Sequence, residues 1–104
     1  MIEEIFHLAQ GDAKTIEKVV MDENLHYMHM ILNQGEALPD HHSNSNVYMA
    51  VLRGTLSIGL GEQETHVYPK GSLLKIPFNT RMNVRNLHPE VLELTVVKAP
   101  APKK

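Results

Sequence analysis

Over residues 25–33 the side chains follow a two-residue period that places His26, Met28, Met30 and Leu32 on one face and Tyr27, His29 and Ile31 on the other. That is the alternation of a β-strand, and the first set is taken to face inward. The same period recurs over Val47, Met49 and Val51, set against Tyr48, Ala50 and Leu52, and over Leu92, Leu94 and Val96, which also face inward. Residues 56–60 and 65–68 flank Gly61-Glu62-Gln63-Glu64, a hairpin signal. Residues 72–76 form a further strand, Pro77-Phe78-Asn79-Thr80 a turn, and a short strand through Met82 ends at Asn86. Upstream, Ala, Lys and Glu favour a helix over residues 13–21, but Thr15, Ile16, Val19 and Val20 are β-branched and decide for a strand. Asp22-Glu23-Asn24 then turns the chain. Residues 4–9 read as an edge strand ahead of the Gly11-Asp12 turn. Many short strands separated by turn signals predict an all-β sandwich or barrel, here a single domain over residues 1–98 followed by a flexible C-terminal tail over 99–104.

A chain of 104 residues has room for one core, burying roughly 60–70% of the surface its unfolded form exposes. The formal net charge of -2 creates no basic field, and three Tyr and two Phe offer few rings for bases to stack on, so no nucleic-acid partner is expected. The absence of cysteine excludes disulfides and thiolate nucleophiles and fits a reducing compartment. The opening MIEEIFHLAQ is acidic, without the basic-then-apolar order of a signal peptide, and no apolar run approaches the length that spans a membrane. The expectation is a cytoplasmic protein with no membrane partner.

Two stretches carry the organisation. In GEALPDHHSNSNVYMAVLRG, Gly35 is followed after five residues by His41, then by a polar loop and an alternating strand that stops at Gly54. In GSLLKIPFNTRMNVRN, Gly71 opens a strand, Pro77 ends it, and Asn86 closes the next one. In register, both frames resemble the two motifs of the cupin superfamily, which implies a single-domain cupin-like β-barrel, the double-stranded β-helix or jelly roll. The resemblance also implies a metal set of three histidines and one carboxylate. Of these positions only His41 is kept; Ser43 stands for the second histidine, Val47 for the glutamate and Met82 for the third histidine. Asn79 stands where the motif has glycine, and asparagine tolerates a left-handed backbone well enough to keep the turn.

Neighbouring side chains on a strand point to opposite faces, so His41 and His42 cannot both face inward on regular structure. His41 is the candidate for a metal or ligand role and His26 a second inward candidate. His29, on the other face, is expected to pack against the second sheet or a partner subunit, and His7, His66 and His88 have no supporting context. Met28, Met30, Met49 and Met82 share the inward face of His41; thioethers fill an irregular apolar cavity well, and with an imidazole they would also suit Cu(I). The loop Ser43-Asn44-Ser45-Asn46 reads as turn chemistry, with Ser43 able to help His41 hold a small polar group. The expected pocket is therefore His26, Met28, Met30, His41, Ser43, Val47, Met49, Met82, Leu94 and Val96. No cofactor is expected beyond a weakly bound transition metal at His41. The first reading of function is a small-molecule-binding cupin with a degenerate metal site, in a sensor or accessory role. The alternative is a metal-dependent cupin enzyme of dioxygenase, isomerase or decarboxylase type centred on His41, and the third is a structural or partner-binding barrel. Apolar residues on outward faces and open sheet edges imply a homodimer.

Overall fold

The computed structural model describes residues 1–103. Among them nine β-strands form: β1 (Thr15–Met21), β2 (His26–Leu32), β3 (His41–His42), β4 (Asn46–Arg53), β5 (Thr55–Leu60), β6 (His66–Pro69), β7 (Leu73–Ile76), β8 (Arg81–Arg85) and β9 (Leu92–Ala99). They build a five-stranded sheet in the order β1-β2-β9-β4-β7 and a four-stranded sheet in the order β3-β8-β5-β6, with every neighbour antiparallel. This is an all-β double-stranded β-helix. The alternation drives it: Met30, Leu32, Val47, Met49, Val51, Leu92, Leu94 and Val96 on one sheet meet Leu56, Ile58, Met82 and Val84 on the other in a single core. No helix is long and apolar enough to cross a membrane among the described residues.

Turns close where their chemistry requires. At the β1–β2 hairpin the Asp22 carboxylate accepts the backbone N–H groups of Asn24 (2.8 Å) and Leu25 (3.0 Å), and those two bonds, Leu25 first, hold its carboxyl below the usual aspartate range. Asn79 has φ of 62°, the left-handed conformation expected of it in place of glycine.

Two expectations are corrected. Residues 4–9 form no strand; they lie as an arm whose Ala9 N–H donates to the Glu17 carboxylate at 3.2 Å, and β1 occupies the sheet edge instead. The tail does not begin at residue 99, because Ala99 continues β9 opposite Asn46. Beyond it Ser45 Oγ donates to the Pro100 carbonyl at 2.5 Å and the Ala101 N–H to that of Asn24 at 3.0 Å. Lys104, the last residue of that expected tail, lies outside the described residues.

The outer face of the five-stranded sheet is partly closed as well. Ile31 and His29 have no exposed surface. Cross-strand register puts Glu17 and Thr95 beside His29, and Glu93 between Ile31 and Arg53. His29 Nε2 lies 2.5 Å from one Glu93 oxygen, and Arg53 Nε donates to the other at 2.7 Å. Arg53 also reaches the Asp12 carboxylate (2.9 Å) and the Gly11 carbonyl (2.6 Å), which pins the arm. His29 therefore packs within its own chain, against carboxylates of β1 and β9, and not against the second sheet. Burial acts to raise the Glu93 carboxyl, but the bonds from His29 and Arg53 outweigh it and hold the group below the usual glutamate range. A carboxylate depressed in the folded state contributes stability in full above its unfolded value, about 4.3, and loses it as pH falls through the lower folded value. Urea melts are thus expected to show the wild type weakening on acidification below about pH 4.3, whereas Glu93→Gln starts weaker at neutral pH and shows a flatter dependence in that window.

Candidate ligand site

Inside the barrel a cavity of about 220 Å³ opens at the end where β3 meets β8. One cross-strand row supplies much of its wall, since Met28 on β2, Val96 on β9 and Met49 on β4 stand side by side on the inner face. Met30 continues that wall from β2, Met82 and Val84 enter from β8, Leu38 and Pro39 from the loop before β3, and Ile16 from the exposed edge strand. His41 pairs directly with Met82 and so stands at the mouth, part in water. Its Nδ1 lies 2.9 Å from the Pro39 carbonyl; a carbonyl only accepts, so Nδ1 carries a proton, and in the neutral imidazole Nε2 is the nitrogen that offers a lone pair to a ligand. Lys98 completes the lining, one alternation step beyond Val96.

Of the ten residues expected in the pocket, Met28, Met30, His41, Met49, Met82 and Val96 line it. The other four do not. Leu94 lies deeper, across from Met30 and Val51 in the sealed core. Val47 is likewise fully buried, between Ile76 and Lys98 in the cross-strand register. His26 faces the right way but sits at the end of its strand, opposite Met21 and Lys98, past the cavity. Ser43 is buried with its hydroxyl already used: it donates to the Pro77 carbonyl at 2.7 Å and accepts the Thr80 N–H at 2.8 Å. A hydroxyl has one proton to give, so Ser43 is the stitch between the two motif loops and not a handle for a ligand. Ser43→Ala is expected to cost about 1–2 kcal/mol in chemical denaturation, because the part-buried Thr80 N–H loses its acceptor. The Pro77 carbonyl keeps a second donor in Thr80 Oγ1 at 2.9 Å.

Lys98, Ile16, Leu38, Pro39 and Val84 are the lining residues outside the expected pocket, Val84 having been read by alternation as inward beside Met82. For Lys98 the signal was present, since it stands at the next inward position after Leu92, Leu94 and Val96. Among the described residues no group of three or more histidine, cysteine, aspartate or glutamate side chains could hold a metal ion. A larger open depression of about 810 Å³ lies outside the barrel, among the 43–46 loop side of β4, Phe78 and the segment from Pro100 to Lys103; its polar lining side chains are exposed or already serve turns.

The fold and the Met-walled cavity define a cupin-type barrel whose metal positions are largely substituted. No family model matches the chain. An uncharacterized protein of Methanocaldococcus jannaschii is 41% identical over 106 aligned residues, covering 100% of this chain and 90% of the relative. The crystal structure of an RmlC-like cupin family protein with a double-stranded β-helix fold, also from Methanocaldococcus jannaschii, superposes with a TM-score of 0.95 at 37% identity over 98% of this chain and 94% of that one. A cupin superfamily protein from Desulfitobacterium hafniense shares the fold alone, with a TM-score of 0.75 at 9% identity over 89% of this chain and 83% of that one. The chain belongs to the RmlC-like cupin family.

Proposed function

We propose that this cupin binds a small molecule in the barrel cavity, in a sensor or accessory role, in the cytoplasm. The observation that supports it is the cavity itself: about 220 Å³, walled by four methionine side chains, with His41 as a polar group at the mouth. Apolar walls with a few oriented polar groups are the ordinary make-up of small-molecule sites. One imidazole and thioethers do not complete the coordination sphere that iron, manganese, nickel or zinc require, so a metal at His41 is held weakly. Protein purified without a histidine tag is expected to carry none of these in stoichiometric amount by elemental analysis.

A thermal-shift screen of metabolite-like compounds tests the reading. A ligand that binds only the folded state at a hundred times its dissociation constant adds about 2.7 kcal/mol, a shift easily read in a domain of this size. A screen in which no compound raises the melting temperature would sink it.

We also propose a homodimer through the outer face of the five-stranded sheet. Leu73 there is 70% exposed and Leu52 43%, and Tyr27, Tyr48 and Val97 form one half-exposed cross-strand row. Ile31 does not contribute, being covered already. Light scattering is expected to give twice the chain mass at micromolar concentration; the monomer mass would remove the claim.

A further inference from the structure

The one lysine or arginine side chain lining the cavity is Lys98. It stands half-buried on the inner face of β9, across from Val47 on β4 and His26 on β2. Lys18, on the inner face of β1 opposite Met28, approaches the same mouth. Among the described residues no carboxylate forms an ion pair with either lysine. Burial first, and the charge of Lys18 second, push the Lys98 ammonium below the usual lysine range. A cation held at the rim of an apolar cavity beside a second cation, with no counter-charge, is relieved by an anion and by nothing else the cavity could take up.

We propose that the cavity is a site for a small organic monoanion, its carboxylate held by Lys98 and its apolar body lying among Met28, Met49 and Met82. The proposal rests on the small-molecule reading above and narrows it to a ligand class. Charge-assisted hydrogen bonds from an ammonium to a carboxylate are roughly twice as strong as neutral ones. A metal cation in the same space would be repelled by both lysines, and a neutral ligand would leave Lys98 as it stands. The volume of about 220 Å³ falls below the roughly 300 Å³ at which drug-sized pockets begin, which restricts the body to a short chain or a single ring. Thioethers, flexible and polarizable, adapt to either.

The test is methionine-methyl NMR on the full chain, titrated with hexanoate and with hexanol, which share a chain length and differ in the charged head. Hexanoate is expected to shift the methyls of Met28, Met49 and Met82 and to bind about tenfold more tightly than hexanol. In Lys98→Met the two probes should bind alike, with hexanol unaffected, and Lys98→Arg should keep the preference. The wild-type comparison stands alone should Lys98→Met lose its dispersed spectrum. Equal binding of the two probes by wild type, or a preference that survives Lys98→Met, overturns the anion proposal and leaves small-molecule binding standing. Methionine methyls that respond to neither probe overturn both.

Discussion

Gly54→Ala is expected to destabilise the protein by about 3 kcal/mol or more, a far larger loss than a surface alanine would cause. Gly54 joins β4 to β5 with φ of 75°, a conformation that an L side chain adopts only under strain. Its missing side chain also faces backbone. An added Cβ would lie 2.2 Å from the Val91 carbonyl oxygen and 3.0 Å from the Val91 carbonyl carbon, and neither can rotate away as a flexible side chain could. The start of β9 would have to move, and β9 is the strand that pairs with both β2 and β4. Gly61→Ala is the control, because Gly61 has φ of 55° but nothing within 4 Å of its added Cβ. It should lose only the dihedral part, about 1 kcal/mol. With about 4–8 °C of melting temperature per kcal/mol in a domain near this size, scanning calorimetry separates the two variants easily. Equal losses would mean that the close approach of Val91 is not formed in solution.

What the amino-acid pattern revealed and what it concealed follow from the range of the interactions involved. Inner and outer faces were readable in β2, β4 and β9 because period two is a local property, and Met30, Met49 and Leu94 are buried as read. The turn of the second motif frame was readable as well: Asn79 adopts the left-handed backbone expected of it in place of the motif's glycine. Depth was not readable. Val47 and Met49 both face inward, yet one is sealed between Ile76 and Lys98 and the other walls a cavity, and only the pairing of distant strands decides which. The arm defeated the reading for a related reason. Its residues have acceptable strand propensity, but the bonds that hold this end of the chain come from the Glu17 and Arg53 side chains and not from a strand ladder, and partners that far along the chain leave no local signal. The Glu17-His29-Glu93-Arg53 cluster likewise exists only through register, joining residues from four strands. Ser43 was misjudged because its role depends on Pro77 and Thr80, more than thirty positions away.

The other large effect is expected at Asn86, where Asn86→Asp should cost about 5 kcal/mol at neutral pH, a large part of the total stability of a small domain. Asn86 is fully buried. Its Nδ2 donates to the Leu32 carbonyl at 3.0 Å and to the Glu90 carbonyl at 2.8 Å, and its Oδ1 accepts the His88 N–H at 3.0 Å. Its own backbone accepts the Gly35 N–H at 2.8 Å and donates to the Glu36 carbonyl at 3.0 Å. The last residue of the second motif is thereby bound to the first residue of the first motif and, through its side chain, to the end of β2. Aspartate has the same shape and no donor. Its carboxylate would face two carbonyl oxygens in a fully buried site, leaving both acceptors without the amide's protons and a charge uncompensated. Such a group has its folded pKa raised above the unfolded value of about 3.9, so its proton stabilises the fold below that value and the penalty grows as pH rises toward the folded value. Denaturant melts of Asn86→Asp are accordingly expected to show the largest deficit against wild type near neutrality and a smaller one in acid, where the protonated carboxyl regains one donor. A deficit that is small at neutral pH, or one that does not shrink on acidification, would show that the amide does not bridge Leu32 and Glu90 as described.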